Sequence, residues 1–274
     1  LWAGWRWVMV IGGTGGLFGW AAWRCLRESP RWLECRGRYD EAGKVIAEME
    51  LQVEREIGRT LPSPQPLTIE VAERMPFREL WTPTYRGRTT MLIIFNLLQT
   101  VGFYGFANWA PTFLLHEGRT LGQSLNFSFL FALMNPIGPL IGIATTERLE
   151  RKHALVLLSL LMACTGLAFA FARNILAIIA VGATMTIFTS WFSSVFHAYQ
   201  AELFPTRARA TGVGFTYSWS RLSAVFSSLI IGTLLIHGIL VVFVFIALAM
   251  VGVALVVGIW GPRTNALTLE EISN

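Results

Sequence analysis

Arg221 is the residue with the most chemistry to account for. It stands eleven residues past Ala210 in an apolar run, Ala210 to Ile236, that holds no Asp or Glu. At 1.5 Å per residue its guanidinium is about 17 Å along a helix, too deep to snorkel easily to an interface. A guanidinium taken out of water needs an anion, supplied by another helix or by a ligand. Gln99, Tyr104, Asn108 and Trp109 wrap a second apolar run, Asn135 precedes Pro136 and Pro139 in a third, and Trp191 lies in another. Polar groups in such surroundings suit the binding of a small solute. A structural ion pair for Arg221 and helix-to-helix hydrogen bonds for Asn126 and Asn135 are the alternatives. The chain shows no Walker loop, HExxH or CxxC, and Cys25, Cys35 and Cys164 match no disulfide or zinc pattern. We therefore expect no enzyme, no metal and no cofactor.

The elements that position these residues are set by composition. Of 274 residues, 54% are hydrophobic and 14% charged, against about 25% charged in soluble domains. Crossing about 30 Å of hydrocarbon takes roughly 20 apolar residues. Runs of that length lie near Trp7–Leu26, Thr89–Leu115, Ser124–Thr146, Ala154–Ala172, Ile175–Tyr199, Ala210–Ile236 and Gly238–Trp260. The net charge of +5 could suit nucleic acid. Placement argues otherwise: Lys and Arg gather in alternate gaps, which is the positive-inside pattern, so the partner is a lipid bilayer and not nucleic acid.

The gap from Arg27 to Arg88 is the most basic, so residues 27–88 are expected in the cytoplasm, together with the carboxyl tail. Within it, Ala42, Val45, Ile46, Met49, Val53 and Ile57 recur at helical spacing behind Asp40, which predicts an amphipathic helix with Asp40 as its N-cap. Pro62, Pro64 and Pro66 predict an extended linker, and Phe77, Leu80, Trp81 and Tyr85 an interfacial ramp into the next span.

Three charged motifs carry a family resemblance. They are Glu28-Ser29-Pro30-Arg31-Trp32-Leu33 with Gly37-Arg38 and Glu41-Ala42; Glu202-Leu203-Phe204-Pro205-Thr206 with Arg209; and Gly261-Pro262-Arg263-Thr264 with Leu269-Glu270-Glu271. In order and separation they resemble signatures of the major facilitator superfamily, in its sugar-porter-like and metabolite (organic acid) branch. Glu147 to Lys152 resembles a further loop motif, with Glu150 where the family has a turn glycine.

The resemblance implies an all-α membrane protein of seven transmembrane helices, the last six forming one half of a twelve-helix fold. Residues 1–26 would be helix six, 27–88 the cytoplasmic linker, 89–261 the six-helix bundle and 262–274 the tail. The amino-terminal helices of the same protein would be missing, leaving the fragment inactive alone. Location in the plasma (inner) membrane is expected. The implied activity is secondary transport of a small organic solute by alternating access, with proton coupling expected of the family.

By the same resemblance, Glu202 with Arg148 or Arg151, and Glu28 with Arg209, are candidate gate pairs, with Arg31 a further gating residue; the alternative is that these charges are topology markers or headgroup contacts. Gln99, Tyr104, Asn108, Trp109, Asn135, Trp191 and Arg221 are substrate-binding. Gln99 and Gly102 match the end of the hexose-binding motif, but Leu98 replaces its first Gln and His197 stands where sugar porters place Trp. An organic acid is therefore preferred to a sugar. A sugar transporter of the same fold and a non-transporting scaffold or receptor remain the alternatives.

Overall fold

The computed structural model of the chain describes residues 4–26, 28–61, 76–116, 118–146 and 149–264. Among these residues it is helical throughout, with no strand. The chain forms two compact units, residues 1–73 and 74–274.

In the first unit, α1 (Gly4–Cys25) occupies the first predicted span. It is followed by α2 (Pro30–Cys35) and α3 (Tyr39–Ile57). Pro30 opens α2 at a position whose N–H would be unpaired anyway. Gly37, at φ +74°, ends α2 in the left-handed region that an L side chain rarely adopts, and Arg38 N–H returns to Leu33 O at 3.0 Å. Arg38 then grips Glu41 through two hydrogen bonds of 2.8 and 2.6 Å, which holds the Glu41 carboxyl below its usual range. Ala42 and Leu33 are the buried residues where α2 packs on α3. The spacing of Gly37-Arg38 and Glu41-Ala42 is thus that of a helix stop, a salt bridge and a close helix contact. Asp40 is not the N-cap: α3 starts one residue earlier, after Arg38, and Asp40 instead sits in the first turn, where a carboxylate favours the helix dipole. The proline linker at Pro62, Pro64 and Pro66 lies outside the described residues.

The second unit opens with a 3₁₀ turn, Phe77–Trp81. Leu80 and Tyr85 are buried, while Phe77 and Trp81 meet the ring of Phe215 edge-on at 4.9 and 6.0 Å. The expected interfacial ramp is therefore half core. Then come α4 (Pro83–Ala107), α5 (Ala110–His116), α6 (Leu121–Ala132), α7 (Ile137–Thr146), α8 (Arg151–Phe171), α9 (Ile175–Glu202), α10 (Thr206–Leu234) and α11 (Ile239–Trp260). Thr120 and Gln123 form a reciprocal capping box at α6, and Asn174 Oδ1 accepts from Ala177 N–H at the start of α9. Asn135 and Pro136 fall in the turn that separates α6 from α7, since proline cannot continue the α6 ladder.

Six helical stretches among the described residues are long and apolar enough to cross a membrane: Pro83–Ala107, Leu121–Thr145, Arg151–Phe171, Ile175–Glu202, Ala208–His237 and Ile239–Trp260. α1, with 22 residues, is long enough, but its glycines and Arg6 and Arg24 dilute its hydropathy.

The packed pairs explain why six spans make one body. α4 packs on α10 and α11, α9 on α7 and α8, and α8 on α11. Exchanging the first trio for the second, α4 for α9, α6–α7 for α10 and α8 for α11, returns the same set of pairs. Three spans invert the direction of the next three, so this is the packing of a nested inverted repeat. α11, apolar on every side, buries Val242, Phe243, Ile246, Met250 and Val253 against α4 and α8 and leaves Leu248, Leu255 and Ile259 exposed.

Candidate functional site

Arg221 is exposed on the surface of the second unit, midway along α10, and its guanidinium is held from two helices. Nη1 donates to the Tyr104 hydroxyl of α4 at 2.9 Å and Nη2 to the Tyr217 hydroxyl, one turn earlier on α10, at 2.7 Å. Its carbon lies 5.8 and 5.0 Å from the two ring centroids. Among the described residues no carboxylate pairs with it. The phenols orient the fork without neutralising its charge, so the site offers an oriented cation to a solute. Close packing of α10 on α4 supplies this geometry. Small residues Thr216, Ser220, Ser223 and Ser227 are buried along α10, and Ser223 Oγ donates to Leu97 O at 2.5 Å. Tyr217 was not among the expected site residues, although its place four residues before Arg221 is the signal that puts both on one helix face. His197 extends the line, its ring 5.7 Å from that of Tyr217 and its Nδ1 3.0 Å from Gln200 Nε2.

The other expected binding residues do not all share this surface. Gln99 is buried and donates to Thr100 Oγ1 at 3.2 Å. Gly102 is a contact residue, since a Cβ there would come 2.1 Å from Met250 Sδ on α11. Asn108 is exposed at the end of α4, and Trp109 is half-buried against Phe113 and over Gly232. Asn135 accepts a hydrogen bond from Ser190 Oγ at 2.8 Å. It also lines a cavity of ≈ 130 Å³ at the meeting of α4, α6 and α9. The indole N–H of Trp191 is buried with no hydrogen-bond partner among the described residues.

Of the two arginines considered for Glu202, Arg151 is the one placed beside it, Nη2 to Oε1 at 2.9 Å, joining the start of α8 to the end of α9. Arg148 lies outside the described residues. Arg209 is half-buried in the first turns of α10, Glu28 is exposed, and α2 carries Arg31. Glu150 does not force a glycine turn: at φ −58° it precedes α8, and its carboxylate accepts the Thr264 N–H at 2.9 Å. Tyr199 donates to Pro262 O at 3.0 Å, so the Gly261-Pro262-Arg263-Thr264 segment is tied to both α9 and the α7–α8 loop. Phe204 is fully buried against Gly212, where a Cβ would come 2.8 Å from its ring. The charged motifs of the second unit, around Arg151, Glu202 and Gly261 to Thr264, therefore gather at one end of its bundle.

The side chains of Arg151 and Glu202 are 17% and 24% exposed, between a surface pair and a buried one. Arg151→Ala or Glu202→Ala should each cost about 1–2 kcal/mol of stability. The reversed double variant Arg151→Glu/Glu202→Arg should recover part of that loss in thermal unfolding in detergent. A double variant as unstable as the sum of the two singles would show that the pair carries no coupling.

Six membrane-crossing helices in a repeat of three, with their charged motifs at one end, define a multi-pass membrane protein of the major facilitator type. The family model for sugar (and other) transporters matches residues 2–274, and the chain belongs to that family. It is 34% identical over 268 residues to YyaJ of Bacillus subtilis (strain 168), provisionally named a metabolite transport protein, covering 96% of this chain and 58% of YyaJ. It is 27% identical over 276 residues to the niacin transporter NiaP of Acinetobacter baylyi, covering 98% of this chain and 61% of NiaP. Among solved structures, the proton:xylose symporter XylE bound to 6-bromo-6-deoxy-D-glucose superposes with a TM-score of 0.70 at 21% identity, over 98% of this chain and 58% of XylE. That likeness concerns the fold. The chain spans about three-fifths of the length of the curated relatives it matches.

Proposed function

We propose that this chain is the carboxyl-terminal part, helices six to twelve, of a secondary transporter that moves a small organic anion by alternating access in the plasma membrane. The observation that carries the reading is Arg221: a cation at mid-span depth, oriented by two phenols and paired with no carboxylate among the described residues. In lipid an unpaired guanidinium is costly, and a bound carboxylate removes that cost only while the solute is present. NiaP, whose named solute is an organic acid, adds support. Residues 27–88 and the tail face the cytoplasm in this reading, and the charged end of the bundle, with Arg151 and Glu202, forms part of the inner gate. Proton coupling is part of the proposal. Its carboxylate would lie in helices preceding residue 1, because the centres of the spans described above hold no Asp or Glu.

The full-length protein, reconstituted in liposomes with an inward proton gradient, should accumulate a radiolabelled organic anion, and this chain alone should not. Ready uptake of a sugar, with no uptake of any organic anion, would instead favour the sugar-transporter reading. Binding of a protein partner without uptake of either would favour a scaffold.

A further inference from the structure

The cavity at the meeting of α4, α6 and α9 has no role in holding an anion, yet its walls are selective. Phe103 and Phe106 of α4 and Phe131 of α6 line it, with Ala107 and Ala132 leaving its space open. Both alanines are exposed to that space. Its polar edge is Asn135, with Ser128 of α6 and Thr186 and Thr189 of α9. The hydroxyls of Ser128, Thr186 and Thr189 are already spent on Ser124 O, Gly182 O and Met185 O, so the lining is mostly apolar. Phe131 is seated by a glycine: a Cβ at Gly182 would come 2.5 Å from its ring, so the aromatic wall stands where only glycine behind it allows. The volume, ≈ 130 Å³, matches a six-membered ring, since an apolar cavity of about 150 Å³ takes a benzene molecule. Phenylalanine walls prefer the edge or offset face of another aromatic ring.

Phe103 connects this cavity to the cation. Its ring lies edge-on to Tyr104 at 5.1 Å, and the Tyr104 hydroxyl accepts from Arg221. Arg221 does not itself line the cavity.

Resting on the anion reading above, we infer that the solute is an aromatic carboxylate whose ring occupies the Phe103–Phe106–Phe131 cavity while its carboxylate reaches across the Phe103–Tyr104 pair to Arg221. Because neither Tyr104 nor Arg221 lines the cavity, an acid with a short spacer between ring and carboxylate is favoured over one with none. Ala107 and Ala132 are then the residues that determine specificity, because any larger side chain at either fills the place of the ring.

The test is a competition series on the full-length protein, with benzoate, phenylacetate, 3-phenylpropionate and the ringless propionate as inhibitors of uptake. Ala132→Leu should weaken inhibition by the best phenyl-bearing acid at least tenfold relative to propionate. Ala107→Leu, which fills the cavity from the other helix, should do the same, so that a folding defect in one variant leaves the other to decide; monodisperse elution in detergent checks each. Arg221→Gln should weaken all four acids together. If the leucine variants change phenyl-bearing acids and propionate alike, or change neither, the ring pocket is overturned and the anion reading stands. If Arg221→Gln changes none of the acids, the anion reading fails, and the aromatic carboxylate with it.

Discussion

Replacing Arg221 with glutamine should lower kcat/KM for uptake of an organic anion about 100-fold while the protein still inserts and elutes as a single species. Removing one partner of a hydrogen-bonded charge pair that solute binding buries costs on the order of 3 kcal/mol, and each 1.4 kcal/mol is about tenfold. Tyr104→Phe should cost much less, roughly tenfold, because it deletes one hydrogen bond and leaves the charge. Arg221→Lys should not rescue fully: an ammonium cannot engage both phenols, at 2.9 and 2.7 Å, and still present an edge to a carboxylate. Uptake by Arg221→Gln at the parent rate, measured at matched reconstitution, would remove this residue from the binding site.

The largest structural effect should come from Gly138→Ala. A Cβ at Gly138 would sit 2.5 Å from Trp191 N and 2.7 Å from Ile187 O, so α7 meets the backbone of α9 with no flexible side chain able to yield. Overpacking typically costs 1–3 kcal/mol, and a backbone clash belongs at about the upper end of that range. Gly122→Ala in α6 is the contrast, since nothing lies within 4 Å of its Cβ position. There the substitution should be neutral or gain up to about 1 kcal/mol of helix propensity. Thermal unfolding of the two variants in detergent checks this. Equal midpoints would show that α7 and α9 have room to part.

The two results address different requirements of one design. Gly138, Gly102 and Gly182 let helices or aromatic rings approach where any side chain would hold them apart. Gly182 in this way seats Phe131 of α6 in the cavity wall, as the small residues of α10 bring Arg221 to Tyr104 of α4, 117 residues away. A small change in packing would therefore be read out as a change in binding, even at positions that touch no solute.

Much of the protein was legible in its residues. Hydropathy located the spans, because lipid admits backbone only as hydrogen-bonded helix and a span has a minimum length. The Gly37-Arg38 and Glu41-Ala42 spacing carried its own geometry, since a left-handed turn, an i, i+3 salt bridge and a small contact residue are all local. Arg221 could be singled out because a charge in an apolar run is an exception whatever the fold. Local reasoning failed where the answer depended on which helices touch. It named Asp40 as a cap when the helix began a residue earlier, and it placed Tyr85 at the interface when α4 buries it. It also left open whether Arg148 or Arg151 meets Glu202, and missed Tyr217 beside Arg221 and Glu150 on the Thr264 N–H. By itself, then, the sequence determined the helices, the family motifs and the one cation that lipid would not tolerate alone, because each depends on residues within a few turns. Only the tertiary structure decided what surrounds that cation and which side chains line the cavity, because those are set by contacts between helices far apart in the chain, and apolar helices that all favour lipid equally do not announce their neighbours.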